Sequence, residues 1–156
     1  MSGGVSGGAS DGVSDDAHVD PNAGSTAAAL APDASPFERV GGEAAVRGLV
    51  DRFYDLMDLE PVYADLRAVH PDTLEGSRDK LFWFLCGWLG GPQHYTERFG
   101  HPMLRARHMP YRIGINERDQ WMACMQQAMS ERRLDAALAQ RLGESFFGTA
   151  DWMRNR

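Results

Sequence analysis

The stretch RARHMPYRIG, residues 105–114, sets His108 behind two arginines and just ahead of Pro110. A neutral imidazole can hold a metal ion, move a proton or cap a helix. His108 is one of five histidines, with His18, His70, His94 and His101. His94, His101 and His108 recur at intervals of seven, which would align them on one face of an unbroken helix. Gly100 and Pro102 interrupt that helix, and no cysteine or carboxylate pattern completes a zinc set. Arg105 and Arg107 would also repel an isolated dication. They suit a ligand that joins a cation to peripheral anions, and haem is such a ligand: its iron takes a neutral imidazole and its propionates seek Arg, Lys or Tyr. A capping or hydrogen-bonded histidine accounts for the same residues, so residue chemistry alone leaves both readings open.

The elements that would position His108 can be read from the flanking pattern. Pro110 disfavours helical geometry at Met109, so a short helix over 102–108, opened by Pro102, ends just after the histidine. Around it, from Pro92 to Ile115, the chain is rich in Gly, Pro, His and Arg and has little apolar periodicity. Elsewhere the pattern is helical, with no convincing period-2 run. Val46, Leu49, Val50, Phe53, Tyr54 and Met57 form one stripe on a helix over 43–59. Pro61 suits the first turn of a short helix ending near Val69, broken by His70-Pro71-Asp72. Leu74, Leu81, Leu85, Trp88 and Leu89 mark a helix over 74–89, with Phe84 beside them, stopped by Gly90-Gly91-Pro92. Asn116 is expected to cap a helix over 117–131 with the stripe Trp121, Met122, Met125, Ala128 and Met129. Asp135 is expected to cap a last one over 136–153, with Leu138, Leu142, Phe146 and Met153 on one face. An irregular link of more than twenty residues between helix pairs makes sense if it packs against something other than protein.

Composition bounds the partners. Residues 1–36 hold no Lys, Arg or aromatic residue and are dominated by Gly, Ala, Ser and Asp. Such a segment cannot bury enough apolar surface to offset its ordering entropy, and a disordered tail is expected there. It lacks the basic start of a secretory signal, and its apolar run, Ala27 to Ala31, is too short. Residues 37–156 hold every aromatic and can make one core. Five of the 22 acids lie in the tail, which leaves 17 against 16 basic residues, a balance that does not suggest nucleic acid. No apolar run approaches the roughly 20 residues that span a bilayer. Cys86 and Cys124 fall in apolar helical patterns and read as small buried hydrophobes of a reducing cytoplasm.

Four segments in collinear order, VGGEAAVRGLVDRFY (40–54), HPDTLEGSRDKLFWFLCGWLGGP (70–92), YTERFGHPMLRARHMPYRI (95–113) and ERDQWMACM (117–125), resemble a truncated haemoglobin of group II. The likeness covers nearly all of residues 37–153. It implies an all-α, two-over-two helical sandwich around haem b, with His108 as the proximal iron ligand and 92–115 packed on porphyrin. On the distal side it implies Tyr54 and Trp121. His70 stands where many relatives carry Tyr or Phe, and Ser77 where ordinary globins carry histidine. Leu81 is implied to lie over the porphyrin with Phe84 and Leu85 close by, and Met109, Tyr111 and Ile113 are implied as further haem contacts. Lys80, the only lysine, Arg107 and Tyr95 match propionate contacts. Without the resemblance, Tyr54 and Trp121 read equally well as core, His70 as a helix end and Lys80 as a solvated side chain.

The implied function follows. A diatomic ligand polarised at iron carries partial negative charge on its outer atom. Trp121 can only donate to it, Tyr54 can donate or accept, and His70 would add a donor titrating near neutral pH. Each hydrogen bond would slow release by an amount on the order of 1–2 kcal/mol. The expectation is a cytoplasmic protein, monomer or homodimer, that binds dioxygen, nitric oxide, carbon monoxide, peroxide or sulfide. Redox detoxification or sensing is expected in preference to bulk oxygen transport. The alternative is a peroxidase or nitric-oxide dioxygenase served by an external reductase, since no flavin or nicotinamide motif is present. A helical interaction module without haem is the non-catalytic alternative.

Overall fold

The computed structural model describes residues 33–156, and all regular structure among them is helical. The tail expected over 1–36 lies, apart from its last four residues, outside the described residues. In chain order the helices are α1 (Pro36–Val40), α2 (Glu43–Leu59), α3 (Ala64–Ala68), α4 (Glu75–Trp88), α5 (His94–Phe99), α6 (Leu104–His108), α7 (Ile115–Glu131) and α8 (Ala136–Trp152). A 3-10 turn, Pro61–Tyr63, leads into α3.

The α2 stripe makes the centre of the core: Val46, Leu49, Val50, Phe53, Tyr54 and Met57 are all buried. Burying each such aliphatic or aromatic side chain contributes about 1.5–3 kcal/mol, so a helix with one continuous apolar face is held mainly by what it packs against. Here α2 lies on α4 to one side and on α7 to the other, while α7 also packs along α8. The architecture is therefore two helix pairs, α2 with α4 and α7 with α8, joined through α2 and α7. Leu85, Cys86 and Leu89 fill the core from α4; Met122, Cys124, Met125, Ala128 and Met129 from α7; Leu138, Leu142 and Phe146 from α8. Both thiols are free and buried, as expected. Burial pushes Cys86 up to about 11 and Cys124 to about 12, so both stay protonated. Arg78 reaches Asp55 at 2.7 Å and Asp51 at 3.3 Å across α2 and α4, and Arg52 grips Glu131 at 2.6 and 3.1 Å across α2 and α7. These half-exposed pairs orient the helices more than they stabilise them.

Gly90-Gly91 ends α4 as expected. Gly90 takes φ +93°, a left-handed value, and Gly91 N–H returns to the Cys86 carbonyl at 2.8 Å, which satisfies an otherwise unpaired carbonyl. Gly91 is needed for contact as well. A Cβ there would lie 2.5 Å from the Phe37 ring, which docks α1 on this corner. Asp135 caps α8 as expected, accepting from Leu138 N–H at 3.0 Å.

Several expected boundaries move. Asn116 is not the cap of α7: the helix begins at Ile115 behind an extended Gly114, which puts Asn116 inside the first turn. Pro102 does not open α6, because Met103 adopts φ +48° and the helix can start only at Leu104. The single helix expected over 61–69 is split between the 3-10 turn and α3. The last helix stops at Trp152, one residue short. Helices α1 and α5, five and six residues long, were not apparent from periodicity because a stripe needs more than one turn to repeat. Most unusual is α6: none of its residues is buried, and it has no extensive contact with any other described helix.

Candidate functional site

His108 is the last residue of α6, and its Nδ1 lies 2.6 Å from the Leu104 carbonyl one turn back. A carbonyl only accepts, so Nδ1 carries the hydrogen and Nε2 of the neutral ring keeps its lone pair. No side chain or backbone group among the described residues bonds that nitrogen. Histidines that ligate metals are set in this manner, with the distant ring nitrogen donating to a carbonyl or carboxylate so that tautomer and ring plane are fixed. The surroundings fit a flat apolar group. Nine large hydrophobic residues are exposed among those described, and five of them, Phe99, Met103, Met109, Tyr111 and Ile115, belong to the stretch around α6. Ile113 is half-buried. An apolar surface concentrated on one irregular stretch marks a place where something else packs.

Tyr54 is 5 % exposed, and its hydroxyl makes no hydrogen bond within the described residues. Yet no shielded side-chain nitrogen or oxygen is left without a partner among them, so this hydroxyl borders open space and is not sealed in. Burial pushes its proton affinity far above the phenol's ordinary value, and Arg78 over the ring offsets only part of that. The phenol is therefore a permanent donor. The His70 ring meets the Tyr54 ring edge-on, 5.9 Å between centroids. Trp121 stands on the same wall, 5.2 Å from the Phe53 ring and 5.4 Å from Phe146, half-buried, its indole N–H unpaired among the described residues. Phe53 in turn packs edge-on against Tyr54 at 5.0 Å, so one buried ring spaces the two donors.

His70 differs from its expected role. Its Nδ1 donates to the Leu66 carbonyl at 2.9 Å, so the neutral ring offers a lone pair at Nε2 and can donate there only when protonated. Burial lowers its proton affinity, with Arg67 and His108 pushing the same way, against the Leu66 bond. At neutral pH it is an acceptor. The pH dependence follows. Below about 6.5, the ordinary histidine value, the unfolded chain binds a proton that the folded chain refuses. Stability is complete above that range and declines as pH falls through it. His70→Phe should flatten the decline between about pH 7 and pH 5. Melting temperatures of both proteins across that range check it, and parallel profiles would count against the assignment.

The remaining expected positions are spread differently. Ser77, Leu81 and Phe84 are half-buried on α4, as a wall with a free face requires. Leu85 is 1 % exposed and sits inside the core cluster; it backs that wall instead of presenting a surface. Arg107 and Tyr95 come together, the guanidinium 5.6 Å over the ring, with Arg107 Nε held by the Pro102 carbonyl at 2.8 Å. Lys80 is exposed, and no described contact joins it to either. A crevice of about 200 Å³ between α4 and α5 is bordered by Phe84, Trp88 and Tyr95. A wider hollow of about 620 Å³ lies between α7 and α8, lined by Met122, Gly143 and Phe147. It contains no histidine and plays no part in this site. His94 and His101 are engaged elsewhere, His94 with Glu43 at 2.7 Å and His101 accepting from Met103 N–H at 3.3 Å.

Residues that orient the histidines escaped the sequence reading. LRAVH (66–70) and LRARH (104–108) are near copies, each ending in a histidine bonded to the leucine carbonyl four residues back. That repeat was the available signal. Arg67 ties the loop after His70 through the Pro71 and Asp72 carbonyls, both at 2.8 Å, and anchors it to Asp58. Gln120 of α7 accepts from Leu66 N–H at 2.9 Å and donates to Asp65 at 3.0 Å. A five-residue helix such as α3 would not persist alone, and these bonds hang it from its neighbours.

Comparison with known proteins gives consistent results. The bacterial-like globin family model matches residues 35–155. The chain is 38 % identical over 122 residues to group 2 truncated hemoglobin YjbI of Bacillus subtilis, covering 78 % of this chain and 89 % of that protein. Among solved structures, it is similar to the group II 2-on-2 hemoglobin of Agrobacterium tumefaciens, at 43 % identity and TM-score 0.77, covering 80 % of this chain and 97 % of that one. It is also similar to the truncated oxygen-avid haemoglobin of Bacillus subtilis, at 37 % identity and TM-score 0.71, covering 78 % and 99 %. With its two helix pairs and these similarities over most of its length, the chain belongs to the bacterial-like globins, as a group II truncated haemoglobin of the two-over-two type.

Proposed function

We propose that this chain holds haem b through His108 and binds dioxygen and related small ligands, among them nitric oxide, carbon monoxide, peroxide and sulfide. The proposed use is redox detoxification or sensing in the cytoplasm, with 37–156 as the globin domain and 1–36 as an extension outside it. One observation carries this reading: the Nδ1–H of His108 is committed to Leu104, leaving Nε2 free on a helix that makes no extensive contact with any other described helix. Haem, when bound, would supply an iron able to take a small ligand. The chain's own groups do the rest. Tyr54 presents an O–H and Trp121 an N–H donor, without competing partners among the described residues, and His70 presents an acceptor. Phe53 and Phe146 hold the donors in place and keep water from the wall. Leu81 and Phe84 offer apolar contact from α4, with Met109, Tyr111 and Ile113 opposite along the chain. Lys80, Arg107 and Tyr95 supply cationic and phenolic groups for the propionates.

Two polar donors over the ligand favour slow release, which suits chemistry on the ligand more than delivery of it. The oxygen-avid description of the similar Bacillus subtilis structure supports that direction. Electrons for turnover would come from a separate reductase. Stopped-flow dissociation of dioxygen, followed by steady-state turnover of nitric oxide and of peroxide with a supplied reductant, tests the reading. Slow release with sustained turnover is expected; fast release without turnover would point to simple carriage.

A further inference from the structure

Helix α6 carries the proposed iron ligand, yet it buries no residue and makes no extensive contact with any other described helix, so a few individual bonds must hold it. The hydrogen bonds identify what does. Beyond the end of α8 the chain turns under the stretch after His108, and one side chain there makes three bonds to it. Asn155 Oδ1 accepts from Ile113 N–H at 3.0 Å. Its Nδ2 donates to the Tyr111 carbonyl at 2.7 Å and, more weakly, to the His108 carbonyl at 3.4 Å. The amide orientation is dictated by its partners, since a backbone N–H needs the oxygen and two carbonyls need the nitrogen. The backbone adds to this: Asn155 N–H and Arg156 N–H both donate to the Ile113 carbonyl, at 2.9 and 3.2 Å. From α6 itself, Arg105 donates to the carbonyl of Trp152, the last residue of α8, at 3.1 Å.

We propose that Asn155 is a positioning residue for His108: through the backbone of residues 108–113 it sets where the imidazole stands and so how the ring meets iron. This rests on the haem reading above. The side chain is suited to the task because its bonds fall on both sides of the turn, at the ligand's own carbonyl and five residues on. Truncating it leaves the Tyr111 carbonyl without its only described donor. Tyr111 N–H still closes on the His108 carbonyl at 3.0 Å and the backbone bonds to the Ile113 carbonyl remain, but none of these holds the Tyr111 carbonyl or the Ile113 N–H.

The test uses the full chain loaded with haem, as Asn155→Ala and Asn155→Asp, with Arg52→Ala as a control for general loss of stability. The aspartate keeps the acceptor for Ile113 N–H and nearly the same volume, but sets an oxygen against the two carbonyls. Two readouts are taken: the ferrous iron–histidine stretching frequency by resonance Raman spectroscopy, and the rate of haem transfer to excess apomyoglobin. Both Asn155 variants are expected to shift or broaden the stretching band and to release haem about tenfold faster, the consequence of losing roughly one net hydrogen bond's worth of restraint. Arg52→Ala, which cuts a tie between α2 and α7, neither of them in extensive contact with α6, is expected to lower the melting temperature and leave the band in place. An unmoved band with unchanged haem transfer in both Asn155 variants overturns the proposal. So does an equal shift in the Arg52 control, because the effect would then be general loosening. If the unaltered protein shows no His108-dependent Soret band, the haem reading itself fails, and that result is separate from either of these.

Discussion

His108→Ala protein is expected to purify colourless and to develop no Soret band with haemin added under conditions in which the unaltered chain does. The effect should be large because the other described histidines stand elsewhere in the fold. His94 is paired with Glu43, His101 accepts from Met103 N–H, and His70, although its Nε2 is also free, stands after α3 against the Tyr54 ring and not on α6. The imidazole is also the one group on α6 whose lone pair is kept free by a bond to the backbone behind it. A companion variant, His108→Gly, separates loss of the ligand from loss of the fold. Free imidazole supplied at millimolar concentration should diffuse in and restore the band, since the side chain's covalent tether contributes placement and not the bond itself. Retention of an unaltered Soret band in His108→Ala would end the assignment. Failure of rescue, with helicity intact by circular dichroism, would instead show that the tether is needed to exclude water.

The second large effect concerns release of the bound ligand. Tyr54→Phe and Trp121→Phe should each speed dioxygen dissociation about tenfold, because a hydrogen bond to a polarised ligand contributes on the order of 1–2 kcal/mol. The phenol is a firm donor, burial having raised its proton affinity, and the indole can do nothing but donate. Carbon monoxide supplies the control. It is less polarised when bound, so its dissociation should change by much less. Tyr54→Phe keeps the edge-on contact with Phe53 and removes one oxygen, which makes it the cleaner of the two. Trp121→Phe loses volume between Phe53 and Phe146 and should also cost some stability. If both gases leave faster by the same factor, the substitutions have widened the path and the donors have no electrostatic role.

How much was legible beforehand depends on the range of the forces involved. The α2 stripe is a local statement, since 3.6-residue periodicity puts its six apolar positions on one side whatever the neighbours are, and all six are buried. The end of α6 at His108 was legible, but not through the expected effect on Met109, which keeps helical geometry at φ −56° and ψ −36°; Pro110 stops the helix because it has no N–H to extend the ladder. The Gly90-Gly91 stop and the Asp135 cap were legible as well. By contrast, α5 has only Tyr95 buried and α1 nothing, so neither shows a periodic signal. The start of α7 was misplaced because Asn116 looks like a cap, whereas the extended Gly114 admits Ile115 to the helix.

For the site, residue types left haem and a capping histidine both open, and the motif order pointed to a globin. The geometry adds what types cannot. His70 is an acceptor at neutral pH because a carbonyl one turn back occupies its Nδ1, a local bond that the paired LRAVH and LRARH segments encode. Asn155 carries no such local mark. Its partners lie 42, 44 and 47 residues away, and only the return of the chain after α8 brings them together.

By itself, then, the sequence determined the helices long enough to repeat a stripe, their glycine, proline and aspartate boundaries, and the histidine between arginines. Each of these rests on interactions within a turn or two. The tertiary structure alone decided that Tyr54 and His70 meet edge-on, that Phe53 spaces Tyr54 from Trp121, and that α6 hangs from the chain terminus. Those outcomes depend on burial and hydrogen bonds between residues far apart in the chain, which exist only once the helix pairs have packed.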